Sequence, residues 1–289
     1  MTALIIGICI GSIYGMMALG IAVVHRGTRM VNFAHGEMGA VGVYAYIQWH
    51  VLDHLSGPAG LLVGFVITGL LGVGFGYIVL AMSRSARGAL APVIASFGVY
   101  LAIRAVTVGV WGPREPYRLP ELFGAGGVRV GDETVPFSYL GSLATVLAVG
   151  AALWAAARFT TVGIQLRATV ANRDAAELAG IRTRRLQLLS WFVGTGLAFV
   201  AAVLYFQTAY VAAGSIDVVL ISTFAIAALA GFEHFGAIAV AAAVYGIVNA
   251  FLDRYFTFSG RDVVALAVLV VMLFVVPRGL MIARSERYA

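Results

Sequence analysis

The chain is a series of apolar stretches broken by short polar gaps. The stretches run over residues 3–24, 34–52, 58–82, 89–111, 137–157, 187–210, 218–232, 237–252 and 263–277. Crossing a bilayer takes about 20 apolar residues in a helix, because in lipid every backbone N–H and C=O must be paired within the segment. The pattern therefore predicts an all-α polytopic integral membrane protein of eight or nine transmembrane or re-entrant helices, forming one permease-like domain over residues 1–289. Residues 218–232 are short for a crossing; together with 237–252 they read equally as a re-entrant pair of half-helices.

Charge gives this series an orientation. Arginine falls mainly in alternate gaps: Arg26 and Arg29; Arg84 and Arg87; Arg158, Arg167, Arg173, Arg182, Arg184 and Arg185; Arg278, Arg284 and Arg287. These positions mark the cytoplasmic side. The remaining gaps mix Arg114, Arg118, Arg129, Arg254 and Arg261 with Asp53, Glu115, Glu121, Asp132, Glu133, Asp217, Asp253 and Asp262 and are assigned outside. The N-terminus is then expected outside and the C-terminus in the cytoplasm. No basic segment or cleavage signal precedes the first span, so that span is expected to be retained. Residues 112–136, rich in proline and glycine, are predicted to form an external loop or small hairpin, and 158–185 a cytoplasmic segment. Gly7, Gly11 and Gly15 line one face of the first helix, where another helix can approach closely.

Composition narrows the class. Of the 289 residues 61% are hydrophobic and only 11% charged, against about 25% charged in a soluble domain. All 19 basic residues are arginine. With no lysine there is no Walker A lysine, no Schiff-base lysine and no Ser-Lys dyad, so any ATP that drives the protein is bound by a partner. The single cysteine, Cys9, excludes an internal disulfide. The arginines are dispersed between spans, which favours membrane orientation over nucleic-acid binding.

Two regions carry candidate chemistry. Met30-Val31-Asn32-Phe33-Ala34-His35-Gly36-Glu37 places an amide, an imidazole and a carboxylate between two apolar runs, where ionisable groups are costly. Asn32 is expected to cap the second helix, with His35 and Glu37 forming either a polar kink at its cytosolic entrance or a gate. The second region is 158–185, where residues from Gln165 to Ala179, Asn172 excepted, favour helix and Gly180 provides a stop. This short amphipathic helix is either a solvated connector or a coupling helix seated in a groove of a soluble motor protein.

Gly11-Ser12-Ile13-Tyr14-Gly15, Val31-Asn32-Phe33-Ala34-His35-Gly36-Glu37, Gly163 through Gly180-Ile181 and Val276-Pro277-Arg278-Gly279-Leu280 resemble the H-type (LivH-like) inner-membrane permease of branched-chain amino acid ABC importers. The resemblance covers nearly the whole chain. It implies a multi-pass subunit of the bacterial inner membrane that has no catalytic residues or cofactor of its own. The implied partners are an M-type permease, two cytosolic ATPase subunits that bind ATP and Mg, and an extracytoplasmic substrate-binding protein. By the same resemblance Gly163, Arg167, Ala168, Asn172, Asp174, Glu177 and Gly180 belong to the coupling segment.

The chain departs from the family pattern twice. Ala230-Gly231-Phe232-Glu233-His234-Phe235-Gly236-Ala237 replaces a glycine- and serine-rich turn, and Arg104 charges the fourth span. Glu37 and Glu233 are the expected partners of Arg104, which is otherwise free to receive a substrate carboxylate. Asn32, His35, Glu37, Arg104, Glu233 and His234 are the candidate gate and pathway residues. Urea or short amides as substrates, or an ion-coupled carrier using His35, Glu37, Glu233 and His234 as a proton relay, are the alternatives. His50, Asp53 and His54 have the i, i+3, i+4 spacing of a metal site if the helix continues through them, but beside Trp49 and just before Ser56-Gly57-Pro58 they are read as outer-interface side chains, and no metal site is expected.

Overall fold

The computed structural model describes residues 2–82, 91–114, 116–131, 133–232 and 234–255, with Ala267, Val270 and Val271 beyond them. The helices are α1 (Thr2–Thr28), α2 (His35–Tyr46), α3 (Gly57–Met82), α4 (Ala91–Val110), α5 (Phe137–Phe159), α6 (Thr161–Ala171), α7 (Arg173–Leu178), α8 (Thr183–Tyr205), α9 (Asp217–Leu229) and α10 (Phe235–Tyr255). Helix α2 runs on into a π-helical turn, Ile47–Leu52. One antiparallel ribbon, β1 (Gly127–Val130) with β2 (Glu133–Pro136), stands within the expected loop 112–136. Among the described residues six helices, α1, α3, α4, α5, α8 and α10, are long and apolar enough to cross a membrane. The chain is thus an all-α polytopic protein with one small hairpin. The expected span 263–277 lies almost wholly outside the described residues; Ala267, Val270 and Val271 within it are helical.

Helix α1 is the centre of the bundle, packed along α10 on one side and α8 on the other. Apolar side chains gain nothing by leaving lipid for protein, so close backbone approach and van der Waals fit must hold such helices together. The glycine stripe expected on α1 does this. A methyl group added at Gly7 would fall 2.7 Å from Ile247 Cα, and one at Gly15 would fall 3.0 Å from Ala242 Cβ; Gly11 abuts the Ala242 carbonyl. Tyr14 and Tyr245 stack across this seam at 4.8 Å, and Tyr245 donates to Ser222 of α9 at 3.1 Å.

The two ends of the bundle are pinned differently. At one end the hairpin is tied to α10 by the Arg254–Glu133 ion pair and to α1 by the Thr2 hydroxyl, which donates to the Val130 carbonyl at 3.4 Å. At the other end α8 begins with Arg184 over the Tyr77 ring of α3, at 4.5 Å, and the turn between α9 and α10 rests on α1 through Phe232 against His25 and Phe235 under Arg26.

The structure corrects several expectations. Residues 237–252 are not a half-helix: α10 is 21 residues long and is a candidate crossing by itself, while α9, with 13, spans only about 20 Å. The expected single helix from Gln165 to Ala179 breaks at Asn172, whose extended backbone ends α6 and whose side chain caps α7. The i, i+3, i+4 alignment of His50, Asp53 and His54 is not realised, because the π turn ends at Leu52 and His54 has φ 58°. The His50 ring instead stacks on Tyr46 at 5.1 Å, with Nδ1 2.5 Å from the Leu55 carbonyl oxygen.

Candidate functional site

Helix α2 begins inside the bundle, not at its face. After α1 ends at Thr28 the chain turns through Arg29, with φ 56°, and climbs back so that His35 lies against Gly20, about 12 Å before the end of α1. The Asn32 side chain makes the turn: its Oδ1 accepts from the Ala34 N–H at 3.0 Å and its Nδ2 reaches Met38 Sδ at 3.4 Å. Asn32 thus closes the turn before α2 but does not cap the helix as expected: Ala34 occupies the cap position, with no side-chain cap hydrogen bond. His35 is fully buried; a methyl group at Gly20 would fall 2.7 Å from its Nε2 and 2.6 Å from the Gly194 carbonyl oxygen. Neither His35 ring nitrogen makes a hydrogen bond of good geometry among the described residues. His35 therefore wedges α1, α2 and α8 together deep in the bundle, and the expected kink at the cytosolic entrance is corrected accordingly.

Two residues further on, Glu37 is 2% exposed and meets Arg104 of α4, Nη1 to Oε1, at 3.3 Å. The same Nη1 lies 2.6 Å from Asp217 Oδ2 and donates to the Tyr100 hydroxyl at 3.1 Å, which in turn lies 3.3 Å from both Asp217 oxygens. Asp217, assigned by sequence to an outer gap, is the first residue of α9 and stands within the bundle. Glu233, the other expected partner of Arg104, lies outside the described residues. Gly214, with φ 87°, leaves the space that the guanidinium fills.

Glu37 and Asp217 both occupy first helical turns, and Gly36 of α2 lies against Ile216 and Leu220 of α9. The N-termini of two helices therefore converge beside Arg104, each with a carboxylate where the helix dipole favours negative charge. Aromatic pairs stand on either side of this group along α4. Seven residues before Arg104, Phe97 stacks on Phe33 at 4.6 Å, and Phe33 also meets Phe224 at 4.9 Å. Seven residues after it, Trp111 stacks on Tyr44 at 5.2 Å, and Tyr44 meets Tyr117 at 6.4 Å. Each step is about 10 Å along the helix.

His234 is not part of this group. It sits in the turn after α9, at the opposite end of that helix from Asp217, behind the left-handed residues Gly231 and Phe232. A separate, largely apolar cavity of about 780 Å³ lies between α3, α8 and the external loop, lined by Tyr46, His50, Phe65, Phe123 and Val203 among others, and includes none of the charged cluster.

The segment 158–185 packs at the edge of the bundle, α6 against α5, α8 and α1 and α7 against the start of α8. Thr160 caps α6, accepting from the Gly163 N–H at 3.2 Å, and Arg167 donates to the Ala157 carbonyl at 2.9 Å, fastening α6 to the end of α5. Gly163 is packed against the Ala156 and Ala157 carbonyls, which leave no room for a side chain. Ala168 accepts from the Asn172 N–H, and the Asn172 side chain accepts from Ala175 N–H at 3.0 Å. Glu177 receives Arg173 at 2.9 Å and the Thr183 hydroxyl at 2.5 Å, while Asp174 is exposed. Gly180 ends α7 in the left-handed conformation, φ 80°, as its position predicts. Leu178 is 91% exposed.

The sequence of the family described as branched-chain amino acid transport system / permease component matches residues 3–276. The chain belongs to this family. It is 28% identical to the high-affinity branched-chain amino acid transport system permease protein LivH of Escherichia coli K12 over 95% of this chain and 93% of that protein. It is 26% identical to the permease protein BraD of Pseudomonas aeruginosa, covering 96% of this chain and 94% of the relative. The probable permease protein LivH of Methanocaldococcus jannaschii is also 26% identical, over 92% and 87%. The permease is therefore a multi-pass transport subunit of the bacterial inner membrane and one component of a larger transport system.

Sequence reasoning found Glu37 and Arg104 but missed Asp217, Tyr100 and the aromatic brackets. A signal was present: Phe97, Tyr100 and Arg104 follow one another at intervals of three and four, which places them on one face of α4, and Trp111 comes seven residues later, just past its end.

Proposed function

We propose that the chain is one of two transmembrane halves of an ABC importer for branched-chain or other hydrophobic amino acids. It pairs with an M-type permease, receives substrate from an extracytoplasmic binding protein, and is driven by two cytosolic ATPase subunits that bind ATP and Mg. The N-terminus is outside and the C-terminus cytoplasmic. The α6–α7 pair is the coupling element, and residues Gly163, Arg167, Ala168, Asn172, Asp174, Glu177 and Gly180 shape it. Asn32, His35 and Glu37 set the start of α2 and with Arg104 line the route; His234 belongs to the turn that bears on α1.

The observation that carries this reading is the form of α6–α7. Two short capped helices lie at the edge of the bundle between α5 and α8 in the chain, and Leu178 of α7 is left 91% exposed. A large apolar side chain on a rigid, charged pair of helices suits insertion into a groove on a soluble partner. Nucleotide-driven closure of the motors would then move α6–α7 and rock the two halves between outward and inward access.

The test is ATP-dependent uptake of labelled leucine, with urea as competitor, into vesicles holding the permease with and without its partner subunits. Uptake is expected only with the full set and is not expected to be competed by urea. Gradient-driven uptake by the chain alone would overturn the proposal in favour of an ion-coupled carrier.

A further inference from the structure

We propose that Arg104, Asp217, Tyr100 and Glu37 form the station that holds the two charged ends of an α-amino acid zwitterion on its way across, with the aromatic brackets closing the route on either side. This rests on the amino-acid importer reading above and assigns that route to one face of the permease.

The first support is exposure. The Arg104 and Asp217 side chains are each 31% exposed, at a point on α4 about 20 Å from one end and 9 Å from the other. A charge turned toward lipid at such depth is costly. The open side of the cluster therefore faces protein or water, which in a two-halved importer means the route between the halves.

The second support is unused bonding capacity. Nη1 of Arg104 carries its bonds to Glu37, Tyr100 and Asp217, whereas Nη2 and Nε have no hydrogen bond among the described residues. A guanidinium engaged through one arm keeps a flat two-donor edge of the kind that takes a carboxylate bidentately. Asp217, 31% exposed beside the guanidinium, offers the open part of its carboxylate to an incoming ammonium. A zwitterion satisfies both at once, its carboxylate on Arg104 and its ammonium on Asp217.

The third support is the bracket. Phe33, Phe97 and Phe224 lie one step along α4 and Tyr44, Trp111 and Tyr117 one step the other way. These rings flank the charged group with apolar surface suited to an apolar side chain, and either ring pair can yield by rotation without breaking a charged contact.

The test uses the complete importer, with loaded binding protein in excess. Substrate choice at the binding protein sets the half-saturation, so substitutions at the station should leave it unchanged and act on turnover. Arg104→Lys and Asp217→Asn are each expected to lower leucine uptake per ATP hydrolysed by about tenfold or more. The exchange Arg104→Asp with Asp217→Arg restores the pair but not the orientation of the site, and is expected to remain slow. Full uptake by Arg104→Lys, or rescue by the exchange, would overturn the station and leave a purely structural latch. A wild-type complex that hydrolyses ATP but moves no amino acid would instead overturn the importer reading on which the station rests.

Discussion

Helices α1 and α4 are both long and apolar enough to cross a membrane, yet 61% of the most apolar window of α1 is buried in the chain against 11% for α4. What separates them is the kind of residue at their contacts. Helix α1 meets its neighbours through Gly7, Gly11 and Gly20, at distances that admit no side chain, and is held by fit. Helix α4 has glycines at 98 and 109 with nothing within 4 Å, and is held by an ion-pair group and ring stacking. Fit of the first kind tolerates no sliding. Bonds of the second kind are few and can be exchanged, which suits a helix that borders a moving route.

Leucine at Gly11 or Gly246 is therefore expected to have the largest effect, separating α1 from α10 and costing about 3 kcal/mol or more. Gly98→Leu on α4 is expected to change the stability of the isolated chain by less than about 0.5 kcal/mol. Thermal unfolding of the purified chain in detergent measures both; equal losses would abolish the distinction between the two helices.

Next in size is Arg104→Ala. Glu37 would remain buried without its cation, so a loss of about 2 kcal/mol is expected, reduced from that of a fully buried pair because Arg104 is partly exposed. The double variant with Glu37→Ala should lose less than the two single variants summed, and strict additivity would show that the pair is not coupled.

Leu178→Asp is expected to leave stability unchanged within about 0.5 kcal/mol, since the side chain touches little, while abolishing co-purification of the ATPase subunits. Retained association would remove α7 from the docking surface. The smallest effect lies at the hairpin, where Arg254, with the Thr2 hydroxyl, holds the Glu133 carboxyl below the usual carboxylate range. Its contribution is present above the ordinary carboxylate pKa and lost as pH falls through the lowered folded value. Glu133→Gln should flatten the acid side of the stability profile of the chain; an unchanged profile would show that the pair contributes nothing.

Much of this architecture was legible because lipid leaves the backbone few choices. The apolar runs gave the cores of α1, α3, α4, α5, α8 and α10, and the glycine stripe of α1 gave its seam with α10. Asn172 was visible as a poor helix former, but periodicity could not show that it would end one helix and cap the next. Asp217 was misplaced because charge alternation treats an acidic residue near an outer gap as outer, whereas a pairing with Arg104, 113 positions away in sequence, draws it into the bundle. His35 and Glu37 were recognised as costly, but nothing local says that α2 starts deep in the fold. That depth follows from Gly20 and Gly194, which open the space the imidazole fills.

The account turns on which face of α4 meets the route. Cys9→Ala in the assembled importer removes the chain's one cysteine, after which single cysteines at Tyr100 and at Leu101, which is 62% exposed on a neighbouring face, can be probed with a charged, water-soluble thiol reagent. Tyr100→Cys is expected to react, at a rate that changes with ATP, and Leu101→Cys to stay unreactive in lipid. Labelling of Leu101→Cys with protection of Tyr100→Cys would put the route on the wrong side of the helix and contradict the account.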